Sequence, residues 1–225
     1  MAARLTIVMP ALNEARAIGT ALEALAPLRR RGHELIVVDG GSEDATRELA
    51  APLADRVLLG ARGRALQMNA GARAAKGAAL VFLHADTLLP PNADALVFGA
   101  LRARAWGRFD VRIEGSHFLL KVIARAMNVR SRLTGIATGD QAIFVRREAF
   151  CGFPEIALME DVAFSRLMKR RHGRPACLSQ AVRTSARRWE SRGVLRTMLL
   201  MWRLRALYAL GAPPERLARI YADER

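Results

Sequence analysis

Acidic side chains stand directly after, or close to, three apolar segments of the chain. Asp39 ends the segment ELIVVD, Asp86 follows ALVFLHA, and the pair Glu160-Asp161 follows ALM. Parallel strands end at one edge of a sheet, where open α/β folds bind their ligands. Carboxylates placed there can coordinate a divalent cation, accept hydrogen bonds from a ribose or remove a proton. The spacing therefore predicts a polar site at the carboxyl edge of a sheet.

His84 and Asp86 form an imidazole-and-acid pair at the end of the segment 79–87. Their i, i+2 spacing points both side chains to one side if the strand stays extended. A divalent cation bound there would neutralise the charge that builds on a departing diphosphate. The alternative interpretation is a buried histidine at a sheet end, with Asp86 capping the next turn.

Glu160 and Asp161 open a predicted helix, where acids simply complement the helix dipole. Two adjacent acids cannot both point outward in the same direction, however. An acid that points inward, near an anionic site, becomes a general base with a raised pKa. Asp140, in the loop TGDQ, is a further acid that could meet a substrate hydroxyl.

A polar cluster lies between the third and fourth predicted strands, and it consists of Arg62, Arg64, Gln67, Asn69 and Gly71. Guanidinium groups can hold a diphosphate and a glycine allows close approach, although a solvated helix entrance fits about as well. The turn after the first strand, PALNEA, holds no glycine, so the dinucleotide fingerprint is absent and NAD and FAD are poor candidates. The P-loop pattern is absent as well.

Strands that alternate with helices must position these side chains. The hydrophobic pattern predicts strands over residues 5–9, 34–38, 57–59 and from 79, each followed by a helix. Later strands are predicted over 107–113, 142–145 and 182–189, and later helices over 92–104, 118–129 and 193–210. This alternation predicts an α/β fold with a mostly parallel central sheet, right-handed crossovers and helices on both faces.

The net charge is +15, from 36 basic and 21 acidic residues, and most of the excess lies near the end of the chain. From Val162 onwards there are 15 basic and four acidic residues. This charge suggests a nucleic-acid or membrane partner. Aromatic residues make up only 6% of the chain, and no nucleic-acid-binding module is recognisable. We therefore expect no nucleic-acid partner.

The cysteines and the hydropathy pattern indicate a cytoplasmic protein. Cys151 and Cys177 lack the spacing of a zinc site or a disulfide framework. The start MAAR is too short for a signal peptide, and no uncharged run reaches the roughly 18 residues of a membrane span. In the predicted helix 193–210, Arg196 and Arg203 lie on the same side of an otherwise largely apolar helix, together with the preceding Arg192. That helix either packs over the sheet or lies on the inner face of a membrane.

The motifs PALNE, VVDGGSEDAT, HADT and MED, in this order, resemble the family 2 glycosyltransferases, inverting enzymes of the A-type glycosyltransferase fold. The segments GRGRALQMNAGARAAKG, SRLTGIATGDQAIFVRR and TSARRWESRGVLRT further resemble a small bacterial subgroup labelled for arsenosugar biosynthesis. The resemblance covers nearly the whole chain. It implies a single Rossmann-like domain that transfers a sugar, such as a hexose, from a nucleotide-diphosphate donor.

The resemblance also implies roles for individual residues. It assigns catalysis to Asp161 with Glu160, metal binding to Asp86 with His84 as a second candidate ligand, and acceptor binding to Gly139, Asp140, Gln141 and Trp189. Donor binding falls to Pro10, Asn13, Glu14, Asp39, Arg62, Gly63, Arg64, Gln67, Asn69, Gly71, Asp86 and Arg188. Two positions depart from the family's motifs. His84 replaces the first acid of D-x-D, and Ser185 replaces the glutamine of the Q-x-x-R-W motif of processive relatives.

These assignments predict an inverting transferase that uses Mg²⁺ or Mn²⁺ and a small-molecule or lipid-linked acceptor. Residues 1–190 would form the catalytic domain, and residues 191–225 basic amphipathic helices packed on it or on a membrane surface. The first alternative is a nucleotidyltransferase that makes sugar nucleotides, although PALNEA is not its glycine-rich loop. A non-enzymatic nucleic-acid-binding protein is a weaker alternative.

Overall fold

A computed structural model describes residues 4–223, apart from the side chains of Arg188 and Asp223. The first part of the sheet is parallel, with the strand order β3-β2-β1-β4. The strands are β1 (Leu5–Ala11), β2 (Glu34–Asp39), β3 (Arg56–Leu59) and β4 (Ala79–Phe82). Except for β3, every residue of these strands is buried. Helices cover both faces, so central strands need continuous apolar runs rather than alternation, and the four predicted strands are confirmed.

The second half of the sheet mixes strand directions. It adds β5 (Thr87–Leu88), β6 (Trp106–Glu114), β7 (Phe144–Arg146) and β8 (Ala176–Ser185). β7 runs antiparallel to both β4 and β6, whereas β6 and β8 are parallel. The complete order is β3-β2-β1-β4-β7-β6-β8-β5.

Ten α-helices are present among residues 4–223. They are α1 (Ala15–Ala24), α2 (Ala26–Arg30), α3 (Thr46–Ala50), α4 (Arg64–Ala74), α5 (Ala93–Ala103), α6 (Phe118–Thr134), α7 (Glu160–His172), α8 (Arg187–Arg192), α9 (Val194–Ala209) and α10 (Pro214–Asp223). Ile7 and Val8, neighbours on β1, belong to separate cores on the two faces. Ile7 packs with α1 and α5, and Val8 with α4 and α7, as the two-residue period of a strand requires.

The last helices pack beside the start of α7. Leu200 and Leu204 of α9 and Leu217 of α10 are buried in one cluster with Met159 and Val162. Among residues 4–223 no helix is long and apolar enough to cross a membrane.

The predicted strand over residues 182–189 was wrong at both ends. β8 begins at Ala176 and stops at Ser185, and Arg187 already lies in α8. The strand ends where its partner ends, because β8 pairs with β6 as far as Glu114 and Ser185. The pairing, rather than the local residue pattern, sets these bounds.

Candidate active site

The loops after β1, β2 and β4 meet at the carboxyl edge of the parallel sheet. Asp39 ends β2 and is completely buried. Its Oδ2 accepts hydrogen bonds from the backbone N–H groups of Gly41 (3.0 Å) and Ser42 (2.9 Å), and Ser42 Oγ donates to its Oδ1. Asp39 therefore organises its own loop, and its contact with a nucleotide stays a prediction.

The Asp39 loop in turn fixes the loop after β1. The N–H of Asn13 donates to Ser42 Oγ at 2.9 Å, and Asn13 Oδ1 accepts from the N–H of Glu43 at 2.9 Å. Asn13 has a φ of 54°, a left-handed conformation that asparagine tolerates better than most residues. Pro10 lies within β1, one residue before its end. Asn13 and Asp39 are thus brought together through Ser42.

Arg187, at the start of α8, joins the first loop to the Asp86 region. Its Nη2 donates to Glu14 Oε2 at 2.8 Å. The pKa of Arg187 is raised by this hydrogen bond and, to a smaller degree, by the charges of Glu14 and Asp86. Sequence reasoning selected Arg188, whose side chain lies outside the described residues. The sequence Arg187-Arg188-Trp189 predicted a role for this segment, but a sequence pattern does not show which of two adjacent arginines contacts the site.

Two residues of the predicted donor wall hold α4 against the sheet. Gln67 Nε2 donates to the carbonyl oxygens of Ala11 (2.7 Å) and Val38 (2.8 Å), so it ties together the ends of β1 and β2. A Cβ at Gly71 would overlap Val8, which explains the glycine. Gly63 precedes α4 with a φ of 143°, and Arg62 is exposed. Gln67 and Gly71 therefore hold α4, the helix of the predicted donor wall, against β1 and β2.

Asn69 connects the same helix to the loop before α7. Its Oδ1 accepts from the N–H of Phe153 at 2.8 Å, and its Nδ2 donates to the carbonyl of Phe153 at 2.9 Å. Asn69 is 6% exposed, and its contact with a nucleotide stays a prediction.

The acids at the start of α7 face in different directions. Glu160 is buried, and its Oε1 forms an ion pair with Arg64 Nη1 at 3.2 Å. Asp161 is partly buried: its Oδ2 accepts from the N–H of Gly139 at 2.9 Å and its Oδ1 from the N–H of Val162 at 2.7 Å. Met159, just before them, has a φ of 70°, a strained conformation of the kind that clusters at functional sites.

The carboxyl group of Asp161 resists ionisation. Burial is the main reason, and the negative charge of Glu160 adds to it, so the pKa of Asp161 rises to about 6. The hydrogen bond from Gly139 and the positive charge of Arg64 act in the opposite direction. A carboxyl group with such a pKa can exchange a proton near neutral pH, as a general base requires.

The chain turns between His84 and Asp86, after β4. The N–H of Thr87 donates to the carbonyl of His84 at 3.1 Å, which closes this turn, so the condition of an extended strand is not met. His84 Nδ1 lies 3.4 Å from Asp140 Oδ1, and the imidazole ring packs so closely on Gly139 that a Cβ there would lie 2.6 Å from the ring. His84 Nε2 is buried and has no hydrogen-bond partner within the described part of the chain.

Asp86 lines an open cleft of about 110 Å³, together with Asp140 and Trp189. Its other walls come from strand ends and from α6 and α9: Ile113, Ile123, Met127, Thr184, Ser185, Thr197, Met198, Met201, Trp202 and Arg205. Gln141 is fully buried instead, where its Nε2 contacts Asn128 Oδ1 at 3.3 Å. The three residues of segment 139–141 therefore have different roles. The N–H of Gly139 donates to Asp161, Asp140 lines the cleft, and Gln141 is buried in the protein interior.

The donor atoms on this wall fit a divalent cation held jointly by protein and ligand. Among the described residues no three His, Cys, Asp or Glu side chains form a metal-binding group. Mg²⁺ is often bound by only one or two carboxylates together with substrate phosphates and water. Asp86 and Asp140, which line the same cleft, are carboxylates of the required kind, whereas the placement of His84 against Gly139 does not favour it as a direct ligand.

Comparison with solved structures identifies the class of fold. Glucosyl-3-phosphoglycerate synthase from Mycobacterium tuberculosis, in complex with Mn²⁺, UDP and glucosyl-3-phosphoglycerate, superposes with a TM-score of 0.62 at 19% identity over 80% of this chain and 71% of that chain. S. aureus TarS (residues 1–349), in complex with UDP-GlcNAc, gives a TM-score of 0.65 at 16% identity over 81% of this chain and 58% of that chain. The fold is that of nucleotide-sugar glycosyltransferases of the A type.

The sequence supplies the family. Residues 6–160 match the model of glycosyl transferase family 2, and the chain belongs to this family. It is accordingly a glycosyltransferase, which favours sugar transfer over the nucleotidyltransferase and nucleic-acid-binding alternatives. Among curated proteins none matches the sequence significantly.

Proposed function

We propose that this protein is an inverting glycosyltransferase that moves a sugar from a nucleotide-diphosphate donor to an acceptor hydroxyl. The observation that carries the proposal is Asp161: a carboxyl group with a pKa of about 6, held by the N–H of Gly139, whose neighbour in sequence, Asp140, lines the cleft. The Mn²⁺, UDP and UDP-sugar in the structures of the two similar proteins support the donor class and the cation.

The chain's own residues provide the steps of this reaction. Asp161 removes the proton from the acceptor hydroxyl as that oxygen attacks the anomeric carbon. Arg64, paired with Glu160, keeps a positive charge beside the two acids and can face the diphosphate. Asp86, with Asp140 in the lining of the same cleft, would hold Mg²⁺ or Mn²⁺, which would neutralise charge on the leaving diphosphate.

Arg187 belongs to the donor side in this proposal. Because it contacts Glu14 and interacts with Asp86, it links the predicted nucleotide pocket to the predicted cation position. Residues 1–190 act as the catalytic domain, and residues 191–225 supply basic amphipathic helices that pack on it or on a membrane surface. The protein works in the cytoplasm, at the inner face of the membrane. The narrower resemblance to the arsenosugar-biosynthesis subgroup stays a prediction.

Thermal-shift measurements with UDP, GDP, CDP and dTDP, each with and without Mn²⁺ or Mg²⁺, test the donor site. We expect one diphosphate to stabilise the protein in a cation-dependent manner. Asp86→Asn should remove the cation dependence, and Arg187→Gln should weaken the stabilisation. Asp94→Asn is a matched control, because Asp94 pairs with Arg31 and His33, before β2 and away from the cleft.

Catalysis is tested separately with the sugar nucleotide of the base identified in this way. Asp161→Asn should keep nucleotide binding and lose about 10²-fold or more of the transfer rate. The anomeric configuration of the product, read by NMR, should be opposite to that of the donor. Failure of all four diphosphates to stabilise the wild type would overturn the proposal, as would near-normal transfer by Asp161→Asn.

A further inference from the structure

Helix α9 exposes a stripe of large apolar side chains to solvent. Leu195, Leu199 and Trp202 are 57%, 59% and 62% exposed, and their spacing of four and three residues places them on one face. The opposite face is used for packing, because Leu200 and Leu204 are buried. Scattered exposed leucines are ordinary on a protein surface, but a continuous apolar stripe on one helix indicates an interaction surface.

The neighbouring helix α6 exposes a second stripe. Phe118, Val122, Val129 and Leu133 are between 48% and 72% exposed. The two helices pack together, since Ile123 of α6 and Val194 of α9 lie in one cluster. We call the exposed stripes of α6 and α9 together the α6–α9 face.

The charge of these helices has one sign. Helix α6 carries four basic residues and α9 three, and neither contains an acid. Arg196 and Arg203 are exposed on α9, and Lys121 and Arg125 are exposed on α6. Apolar stripes on helices whose own charged residues are all basic complement an anionic lipid surface, to which apolar burial and electrostatic attraction contribute together.

The α6–α9 face is continuous with the cleft. Trp202 belongs to the exposed stripe and also lines the cleft, and Met198 and Met201 beside it form the α9 wall. Ile123 and Met127 of α6 form part of another wall. The cleft is thus largely apolar along these helices, whereas its acids, Asp86 and Asp140, come from the sheet edge.

We propose that the α6–α9 face binds the surface of an anionic lipid bilayer. Trp202 would lie at the headgroup level, as tryptophan does at membrane interfaces, and the arginines would contact the lipid phosphates. The docking does not depend on the reaction. If the proposed function also holds, the cleft opens where the hydroxyl of an amphiphilic, membrane-embedded acceptor can enter it between apolar walls.

Flotation with vesicles tests the docking. The full chain should float with vesicles of phosphatidylcholine plus phosphatidylglycerol and remain unbound with phosphatidylcholine alone. Leu195→Glu/Leu199→Glu should weaken binding by about tenfold or more, because both apolar contacts are replaced by acids. The matched control is Leu49→Glu/Leu59→Glu, which places two acids at exposed leucines of α3 and β3.

Charge reversal gives a second, independent comparison. Arg196→Glu/Arg203→Glu should reduce partitioning by about tenfold or more, since each basic residue near an anionic surface contributes about fivefold. Arg170→Glu/Arg171→Glu, which changes the charge equally at the exposed end of α7, should have a much smaller effect. Binding should also weaken as salt is added.

Three results would overturn the proposal. The wild type could fail to bind anionic vesicles, or the α9 variants could bind as well as their controls. The third result has two parts: the wild type forms a stable dimer, detected by light scattering, but does not bind vesicles, and the dimer dissociates in Leu195→Glu/Leu199→Glu. The face would then be a contact between two copies of the chain. Nucleotide-induced thermal shifts of every variant are measured in parallel, so loss of docking is distinguished from loss of the donor site or of the fold.

Discussion

Replacing Asp161 by asparagine should have a pH-dependent effect on stability. The free energy of unfolding of the variant, minus that of the wild type, should be larger at neutral pH than in acid. The folded protein raises the pKa of Asp161 from 3.8 to about 6, through burial and the charge of Glu160. A carboxyl group whose folded pKa lies above its unfolded pKa binds protons more tightly in the folded state. Its contribution to stability is therefore complete below about pH 4 and is lost as the pH rises through about 6. Asparagine has no such pH dependence.

The size of the effect follows from the shift. Each pKa unit corresponds to about 1.4 kcal/mol, so a shift of about two units changes the free energy of unfolding by about 3 kcal/mol between pH 4 and pH 8. Asparagine has one acceptor oxygen, so it keeps only one of the two hydrogen bonds that Asp161 accepts from Gly139 and Val162. This loss lowers the free energy of unfolding by about 1–3 kcal/mol. That loss is the same at every pH, so it moves the whole difference curve without changing its shape.

Urea unfolding of both proteins at several pH values between 4 and 8, in the presence of EDTA, measures this difference. EDTA removes cations that would add their own charge near the acids. The difference in unfolding free energy, variant minus wild type, should rise by about 3 kcal/mol across this range, with its midpoint between about 4 and 6. The transfer rate of the wild type should rise over the same pH range, because the base acts as the carboxylate.

Asp94→Asn is the control of opposite sign. Burial acts against ionisation of Asp94, but hydrogen bonds from Arg31 and His33 outweigh it and lower its pKa to about 2. The stability that Asp94 contributes is present above about pH 4 and is lost only as the pH falls through about 2. Its variant should therefore be less stable than the wild type by a nearly constant amount between pH 5 and pH 8. A flat difference curve for Asp161→Asn as well would refute the reasoning about Asp161.

Two further substitutions test how α4 is held. Gly71→Ala adds a methyl group that overlaps Val8, and it should cost about 1–3 kcal/mol in urea unfolding. Gly99→Ala, in the interior of α5 with no atom within 4 Å of the new Cβ, should instead gain about 0.5–1 kcal/mol, and equal stability of the two variants would show that α4 packs less tightly than described. Asn69→Ala leaves the buried N–H and C=O of Phe153 unpaired and should cost about 2–4 kcal/mol, with faster proteolysis in that loop; a loss below 0.5 kcal/mol would contradict the contact.

The parallel half of the sheet could be predicted because its signals are local. Each of β1, β2 and β4 is a short apolar run, and an abrupt end marks where its loop begins. Topology then brings Asp39 and the residues after β4 to one edge without any knowledge of side-chain contacts. The meeting of these loops follows from fold class alone.

Individual roles on the donor wall could not be predicted, because they depend on distant partners. Gln67 and Asn69 have the composition of a ligand-binding wall, yet their amides bond to backbone groups of β1, β2 and the loop at Phe153. Asn69 and Phe153 are 84 residues apart in sequence. A polar residue inside a helix looks the same in sequence whether it faces a ligand or a buried carbonyl group.

The turn between His84 and Asp86 depends on a strand that lies far away in the sequence. After β4, Thr87 pairs with Thr184 of β8, and the N–H of Ser185 donates to the carbonyl of Asp86 at 3.1 Å. This pairing holds Asp86 at the cleft, where an extended chain would have carried both side chains to the same side. The direction of the proposed metal-binding acid is therefore set jointly by β4 and β8. His84, two residues earlier, instead packs against Gly139 and contacts Asp140, whose carboxylate lines the cleft with Asp86.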